Sequence, residues 1–392
     1  MVLVPLFVFE LISMNVLIYA LTIKRGGALK VLESFLETIT NEKRENVNYV
    51  IILSVKLKNR FSNFSLHIEY FDHDNPLGIY RFIISNRINK LIDKFQINLV
   101  YTIGAPSYYK FKIPQVVRLT EPYVLHPNKH AYSRYGLIDY LTIKLKTYIK
   151  FLAIKNEIYF ETQTEYAKNR ILEYINPLSK VLVVNNSISL EIFNNHNNFD
   201  TRNEHVFLND KIKILCMAYP YPHKDILGSL LVASILKENY QNFIIYYTIP
   251  KDSKKFLKQF YTNVFSLGLN DNVVNLGEVQ QKDLSNIYRR IDIVYQSSLL
   301  ETSSSTLIEG LYFDKLILCA NLPYNIEICK DSAFYFEPLN YSQNADILSK
   351  LINKIDFHKN GIDKRGLVSN PLDNYNLILQ YFMEILDGVI VE

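Results

Sequence analysis

The chain reads as an α/β protein built from two doubly wound domains, each with a parallel sheet covered by helices. Three observations predict this. Its 392 residues suit two domains of ordinary size, or one large one. Hydrophobic residues make up 48% of it, enough for two packed cores and far from a disordered composition. Short apolar runs also alternate with helix-periodic stretches along the chain, the rhythm of strands joined by crossover helices.

The elements follow in order. Residues 1–23 are almost uninterruptedly apolar, with Glu10 the only charge, and Lys24-Arg25 follows. A single span there would read as a membrane anchor. The division preferred here makes 15–20 the first buried strand and leaves 1–13 as an extension. The early charge is acidic and a basic leader region is missing, which argues against a secretion signal. Gly26-Gly27 then forms a turn, and 29–36 repeats apolar residues at helical spacing. Strands are expected at 49–53, 99–101, 116–119 and 181–186, and an amphipathic helix at 81–95. Residues 191–209 are rich in asparagine and lack periodicity, as a linker would be. The second half repeats the rhythm. Strands are expected at 212–218, 243–248, 273–276, 291–295 and 316–319, with helices at 226–236, 257–267, 284–290 and 373–386. The domains are therefore 1–185, a linker at 186–210, 211–370, and a terminal segment at 371–392.

One stretch organises the second domain. After the strand at 291–295 come Glu301 and Glu309, eight positions apart, with Thr302-Ser303-Ser304-Ser305-Thr306 between them. Strand, polar loop, helix, strand is one parallel βαβ step. The hydroxyl run is a good helix entry, because its side chains can cap backbone N–H groups and its small size lets a ligand approach them. A helix start carries partial positive charge and open donors, so phosphate is its natural guest. Glu301 stands at the strand exit, where open α/β sheets bind ligands. Carboxylates beside a phosphate site can take paired hydrogen bonds from the vicinal hydroxyls of a sugar or ribose. The alternative is a capped helix with two solvated glutamates.

The sequence ETSSSTLIE resembles the paired-glutamate motif of retaining glycosyltransferases of the GT-B fold, family four, also known as glycosyl transferases group 1. Thr302 and Ser304 stand where the motif has glycines, and Thr306 where it has proline. The likeness covers 211–340 well and 14–40 loosely. It implies two Rossmann-like domains facing across a cleft and a terminal helix that crosses back to the first domain. It implies that Glu301 takes the donor sugar's hydroxyls and Glu309 the ribose. The diphosphate would lie on Ser303, Ser304, Ser305 and Thr306 and on Lys224, which matches the family's lysine in the loop at 219–225. His223 would replace the family's missing arginine. Gly277, Glu278 and Val279 would touch the nucleotide base. Gly26 and Gly27 would lie at the cleft, where a glycine pair could equally be an ordinary turn.

The same resemblance places Thr120 and Glu121, after the strand at 116–119, where relatives carry His-Asp. These two and nearby His126 are acceptor-side candidates, against the alternative of a turn carboxylate and a surface histidine. Asp72-His73-Asp74 has the spacing of a metal motif, but Asn75-Pro76-Leu77-Gly78 after it is turn chemistry, so no metal is expected. A retaining enzyme of this type needs no cofactor beyond its nucleotide-diphosphate sugar.

Charge adds a further expectation. Residues 1–185 hold 24 Lys and Arg against 15 Asp and Glu, a net +9, whereas the remainder is −5 within an overall +4. No zinc finger, RNA-binding aromatic motif or dense basic run points to nucleic acid. The basic half suits an anionic bilayer. Residues 137–156 mix apolar positions with Lys144, Lys146, Lys150 and Lys155. They read either as a basic amphipathic helix on a membrane or as a domain helix with a solvated lysine face, the second being preferred. Cys216, Cys319 and Cys329 form neither a zinc pattern nor a disulfide framework, which suits a reducing compartment.

The expectation is a retaining hexosyltransferase on the cytoplasmic face of the membrane. It would pass a sugar to a lipid-linked oligosaccharide in surface-polysaccharide assembly, such as O-antigen or capsule. The alternatives are a sugar-nucleotide epimerase of the same fold and a non-catalytic nucleotide-sugar-binding protein.

Overall fold

The computed structural model describes residues 13–24, 26–104, 106–189, 192, 207, 210–217, 219–353 and 365–388. The chain forms two compact units. One takes Met1–Leu125, Lys146–Asn185 and Pro371–Glu392; the other takes His126–Leu145 and Asn186–Asn370. The expected first domain is thus interrupted, because residues 126–145 cluster with the second unit. Most of the expected linker, and all but Ser13 of the expected extension at 1–13, lie outside the described residues.

The first unit begins with β1 (Met14–Tyr19), α1 (Gly27–Asn41), β2 (Val47–Ser54), α2 (Lys58–Phe61) and β3 (His67–Phe71). It continues with α3 (Arg81–Lys94), β4 (Leu99–Ile103), β5 (Gln115–Arg118) and α4 (Pro122–Leu125). After α5 (Lys129–Tyr132), which belongs to the other unit, come α6 (Leu137–Ile154), whose residues through Leu145 also fall in the other unit, then β6 (Tyr159–Thr162), α7 (Glu165–Tyr174) and β7 (Lys180–Val183). The strands pair in parallel in the order β3-β2-β1-β4-β5-β6-β7. Alternate residues of β1 feed opposite cores, as strand geometry requires. Val16 and Ile18 pack with Leu32 and Leu36 of α1, and Leu17 and Tyr19 with Ile84 and Ile88 of α3. Both sides of β1 are buried, which is why it reads as a continuous apolar run.

The second unit contains β8 (Ile212–Cys216), α8 (Ile226–Asn239), β9 (Phe243–Tyr247), α9 (Lys254–Ser266) and β10 (Val273–Asn275). Then come α10 (Leu284–Arg290), β11 (Ile293–Gln296), α11 (Ser305–Tyr312), β12 (Leu316–Ala320), α12 (Pro323–Cys329), β13 (Phe334–Phe336) and α13 (Tyr341–Ile352). Its parallel order is β10-β9-β8-β11-β12-β13. The terminal helix α14 (Pro371–Leu386) lies in the first unit, where Tyr375 and Phe382 join the core of β1 and α1.

In both sheets the chain runs outward one way from its first strand and then returns to extend the other side. The reversal falls between β1 and β4 in one and between β8 and β11 in the other. Ligands of open α/β sheets bind beyond the carboxyl ends of the strands at such a point. In the second sheet the loops leaving that point are 217–225 and 297–304, the two that carry Lys224 and Glu301. Gly310 seats α11 on this sheet. A Cβ there would lie 3.1 Å from Val294 and 3.3 Å from Ile317, so a larger residue would push the helix outward.

Three strands were not expected: β3, β6 and β13. The lysine-rich helix also departs from expectation. Helix α6 buries only Ile154, and the apolar side chains rather than the lysines alone face solvent. Among the described residues no helix is long and apolar enough to cross a membrane. All three cysteines are free and buried.

Candidate functional site

The loop after β8 ends in a short 3-10 turn, Pro222–Lys224, followed by Asp225 in the left-handed region at φ 48°. The loop after β11 passes Ser297 and Ser298 and reaches Glu301. Lys224 Nζ forms an ion pair with Glu301 Oε1, joining the two loops across the reversal point. Backbone geometry supports the pair from both sides. Ser297 Oγ donates to the Lys224 carbonyl at 2.6 Å, and the Leu299 amide donates to the His223 carbonyl at 2.8 Å. Gln296 Nε2 donates to Glu301 Oε1 at 3.3 Å. Burial alone would raise the Glu301 carboxyl, but the charge and hydrogen bond of Lys224 overcome it and hold the group below its ordinary range. The side chains of Lys224 and Glu301 remain 20% and 14% exposed, so the pair is reachable.

Helix α11 opens beside Glu301. Ser304 occupies its N-cap position with extended backbone angles, yet its side chain makes no capping hydrogen bond. The hydroxyl expected to close the helix start therefore leaves those amides to another acceptor. Thr302, Ser304 and Thr306 are buried, while Ser303 and Ser305 are half-buried. Asn186 Nδ2 donates to the Ser303 carbonyl at 3.4 Å. Farther along, Glu309 is only 5% exposed, and its Oε2 accepts from the Tyr288 hydroxyl of α10 at 2.7 Å. Tyr288 is itself held by stacking on Phe313, with ring centroids 5.3 Å apart. Gly277 sits at φ 78° in the loop after β10, and its amide donates to Asn275 Oδ1 at 3.2 Å. Glu278 beside it is exposed, and Val279 packs on the core.

Two expectations are corrected here. His223 was to supply the charge of an absent arginine. It is 8% exposed, faces the Tyr135 hydroxyl at 3.2 Å, and has its pKa pushed down to about 4, first by burial and then by the neighbouring Lys224 charge. A neutral imidazole cannot serve as that cation. His126 was to be an acceptor-side group or a surface histidine. It is buried in the second unit, stacked on Tyr324 of α12 at 5.2 Å.

The reason lies in a segment whose role was not anticipated. Residues 126–145 brace the two functional loops. Asn128 Nδ2 and the Tyr324 hydroxyl both donate to the Leu299 carbonyl at 3.0 Å. Arg134 pairs with Asp225 at 3.0 Å, and the Tyr341 hydroxyl donates to the same carboxylate at 3.1 Å. Burial raises the Asp225 carboxyl to about 6, with Arg134 opposing it. No pattern local to 126–145 signals these contacts, because their partners lie about a hundred residues or more away.

In the first unit, Gly26 takes φ 77° at the start of α1, and a Cβ on Gly26 or Gly27 would meet nothing within 4 Å. The turn needs glycine at 26, and open space surrounds both positions. Thr120 is half-buried, and Glu121 pairs with Lys150 of α6 at 2.6 Å. Asp74 takes lysines rather than a metal motif's partners, with Lys56 at 2.8 Å and Lys24 at 3.3 Å; His73 stacks on Tyr80 at 3.5 Å. A buried cluster also went unforeseen. Arg118 of β5 pairs with Glu161 of β6 at 2.5 Å, and Tyr101 of β4 bonds to both.

The arrangement is that of the GT-B fold. A glycosyltransferase from Rickettsia africae superposes with a TM-score of 0.72 at 18% identity, over 97% of this chain and 99% of that one. HepE from Anabaena, in complex with UDP and glucose, gives 0.71 at 14% identity, over 95% and 100%. A UDP-GlcNAc 2-epimerase from Neisseria meningitidis, bound to UDP-GlcNAc, gives 0.59 at 14%, over 95% and 100%. At these identities the likeness establishes the fold. The family model for glycosyl transferases group 1 matches residues 197–363, which include every residue of the Lys224–Glu301–Glu309 constellation. No curated protein matches the chain.

Proposed function

We propose that this chain is a retaining glycosyltransferase that moves a sugar from a nucleotide-diphosphate donor to a hydroxyl of a lipid-linked glycan, in the assembly of a surface polysaccharide such as O-antigen or capsule. The observation that carries the reading is the Lys224–Glu301 pair at the strand reversal of the second sheet, beside a helix start that its own N-cap side chain leaves uncapped. A diphosphate accepts from the amides at Ser305 and Thr306 and draws the Lys224 ammonium, while the sugar hydroxyls donate to Glu301. Glu309, positioned by Tyr288, takes the ribose hydroxyls, and Gly277 to Val279 lie toward the base.

In the reaction the bond between the anomeric carbon and the diphosphate oxygen breaks, and its electron pair leaves with the diphosphate. The acceptor oxygen forms the new bond on the same face, and its proton passes to the departing phosphate oxygen. Lys224 and the helix start stabilise the charge that develops there. Thr120 and Glu121 are the acceptor-side residues of this reading, with Gly26 and Gly27 at the loop after β1. The acceptor's lipid places the reaction at the cytoplasmic membrane face.

A thermal-shift titration with UDP, GDP, ADP and their common sugars tests the donor site, since a ligand bound only by the native state raises the melting temperature. One nucleotide is expected to raise it in the wild type and to act more weakly in Glu309→Ala and Glu309→Gln. No shift with any nucleotide would overturn the donor site. The similarity to the Neisseria epimerase favours a second reading, sugar-nucleotide epimerisation. Conversion of a sugar nucleotide in the absence of any acceptor would establish that reading instead.

A further inference from the structure

Helix α6 is 18 residues long, and Ile154 is its only buried residue. Leu137, Ile138, Leu141, Leu145, Tyr148 and Leu152 are each between 42% and 81% exposed. At about 100° per residue these six fall within an arc of about 100°, a continuous apolar stripe along one side of the helix. Lys144 borders one edge of the stripe and is exposed. Lys144 rests over the rings of Tyr132 and Tyr140, at 4.7 Å and 5.7 Å from their centroids, which holds its ammonium beside the stripe. The remaining helix charges, Lys146, Asp139 and Lys150, lie on the far side, where Lys150 is engaged by Glu121.

A helix that presents its apolar side outward has no fold-internal reason to do so. Four charges in 18 residues rule out a membrane span, whereas an exposed apolar stripe with a lysine at its edge matches a helix lying in the plane of an anionic interface. The first unit, which holds the half of α6 from Lys146 onward, carries a second exposed apolar group on the side of its sheet that this half covers. The crossovers β3-to-β4 and β5-to-β6 run in the same direction along the strand order, and right-handed crossovers put their helices on one side. The register agrees, since Ile84 of α3 packs with Val100 and Ile154 of α6 with Val117, on strands where Thr102 faces Val117. At the start of α3, Leu77, Ile79, Phe82 and Ile83 are 53% to 85% exposed, with Arg81 among them.

We propose that α6 is a membrane-docking element, and that its stripe enters the headgroup region of an anionic bilayer while Lys144 meets lipid phosphate. The proposal gives the lipid-linked acceptor of the proposed function a surface to be met on. Vesicle binding is read without donor or acceptor, so its failure and that of the donor site are separate results.

The test is co-sedimentation of the full chain with phosphatidylglycerol-containing vesicles and with phosphatidylcholine vesicles, at low and high salt. The wild type is expected to partition at least about tenfold more strongly onto the anionic vesicles and to be released by salt. The triple variant Ile138→Ser, Leu141→Ser, Leu145→Ser should lose about tenfold or more, at an unchanged melting temperature because these side chains are exposed. Lys144→Glu should weaken binding to anionic lipid by roughly fivefold or more, and Lys146→Glu, on the far side of the helix, should change it less. Absence of wild-type binding would overturn the proposal, as would a triple variant that binds like the wild type. A wild-type dimer that the triple variant converts to monomer, with no vesicle binding, would assign the stripe to a second copy of the chain and overturn it too.

Discussion

The two sheets share a strand order through their first six strands but place their charges in opposite ways. In the first, Arg118, Glu161 and Tyr101 meet within the sheet, on three neighbouring strands and buried. In the second, Lys224 and Glu301 meet beyond the strands, on two loops at the reversal point, partly open to solvent. A charge pair inside the sheet has no ligand to serve and acts on stability. A pair at the sheet's edge can be drawn apart by a ligand that offers each partner something better. Burial, not residue type, separates the two roles.

The comparison breaks most sharply at Glu161. Glu161→Ala leaves the Arg118 guanidinium buried without its carboxylate and should cost about 3–5 kcal/mol in urea denaturation. Nucleotide affinity of the molecules that remain folded should not change. A loss well under 1 kcal/mol would remove the contrast. Next in size is Lys224→Ala, expected to lower sugar-transfer turnover by about 100- to 1000-fold by removing a charge aimed at the leaving group. Its effect on stability should be smaller than that of Glu161→Ala, because Lys224 and Glu301 keep more contact with solvent than Arg118 and Glu161.

A pH series sharpens the picture of the second site. His223 has a folded pKa of about 4, below the usual 6.5, so the unfolded chain binds more protons between those values. Its contribution to stability is complete above about 6.5 and is lost as the pH falls towards 4, up to about 3 kcal/mol. His223→Gln should therefore be less sensitive to acid than the wild type by that amount, read from denaturation at pH 4 and pH 7. Asp225, raised to about 6, has the opposite sign, its contribution being lost as the pH rises from 3.8 through 6, and it remains in both proteins. The smallest effect belongs to Glu309→Gln. The amide can still accept from Tyr288, so the fold should persist while nucleotide binding weakens about tenfold, the loss of one charge-assisted contact. Isothermal titration would measure it.

The strands legible in the sequence are those buried on both faces. Residues of β1, β2, β4, β9 and β12 are apolar runs because helices cover both sides of them. The unforeseen strands lack that signature for physical reasons. Strands β3 and β13 are edges, and β3 carries His67 and Glu69, which pair with each other at 3.1 Å. Strand β6 is four residues long and includes Glu161, whose partner sits on another strand. At the site, the family resemblance singled out Lys224 and Glu301, and the fold brings the two together on loops at the reversal point. The neutrality of His223 was not, since it depends on burial and on Tyr135, 88 positions away. The exposed side of α6 was not legible either, because periodicity shows that a helix is amphipathic but not which side the fold covers.

The path of residues 126–145 has a consequence for recombining this protein with others. A chimera joined at the linker would take its second half from residue 186 onward and its first half from elsewhere. It would import Glu301, Lys224 and Asp225 while leaving behind Arg134, Tyr135 and Asn128, which brace them. The natural module for exchange is discontinuous: the second unit must travel with the crossover that links β5 to β6. Selection acting on the loops that carry Lys224 and Glu301 therefore also acts on a stretch that a linear map of the chain assigns to the other half.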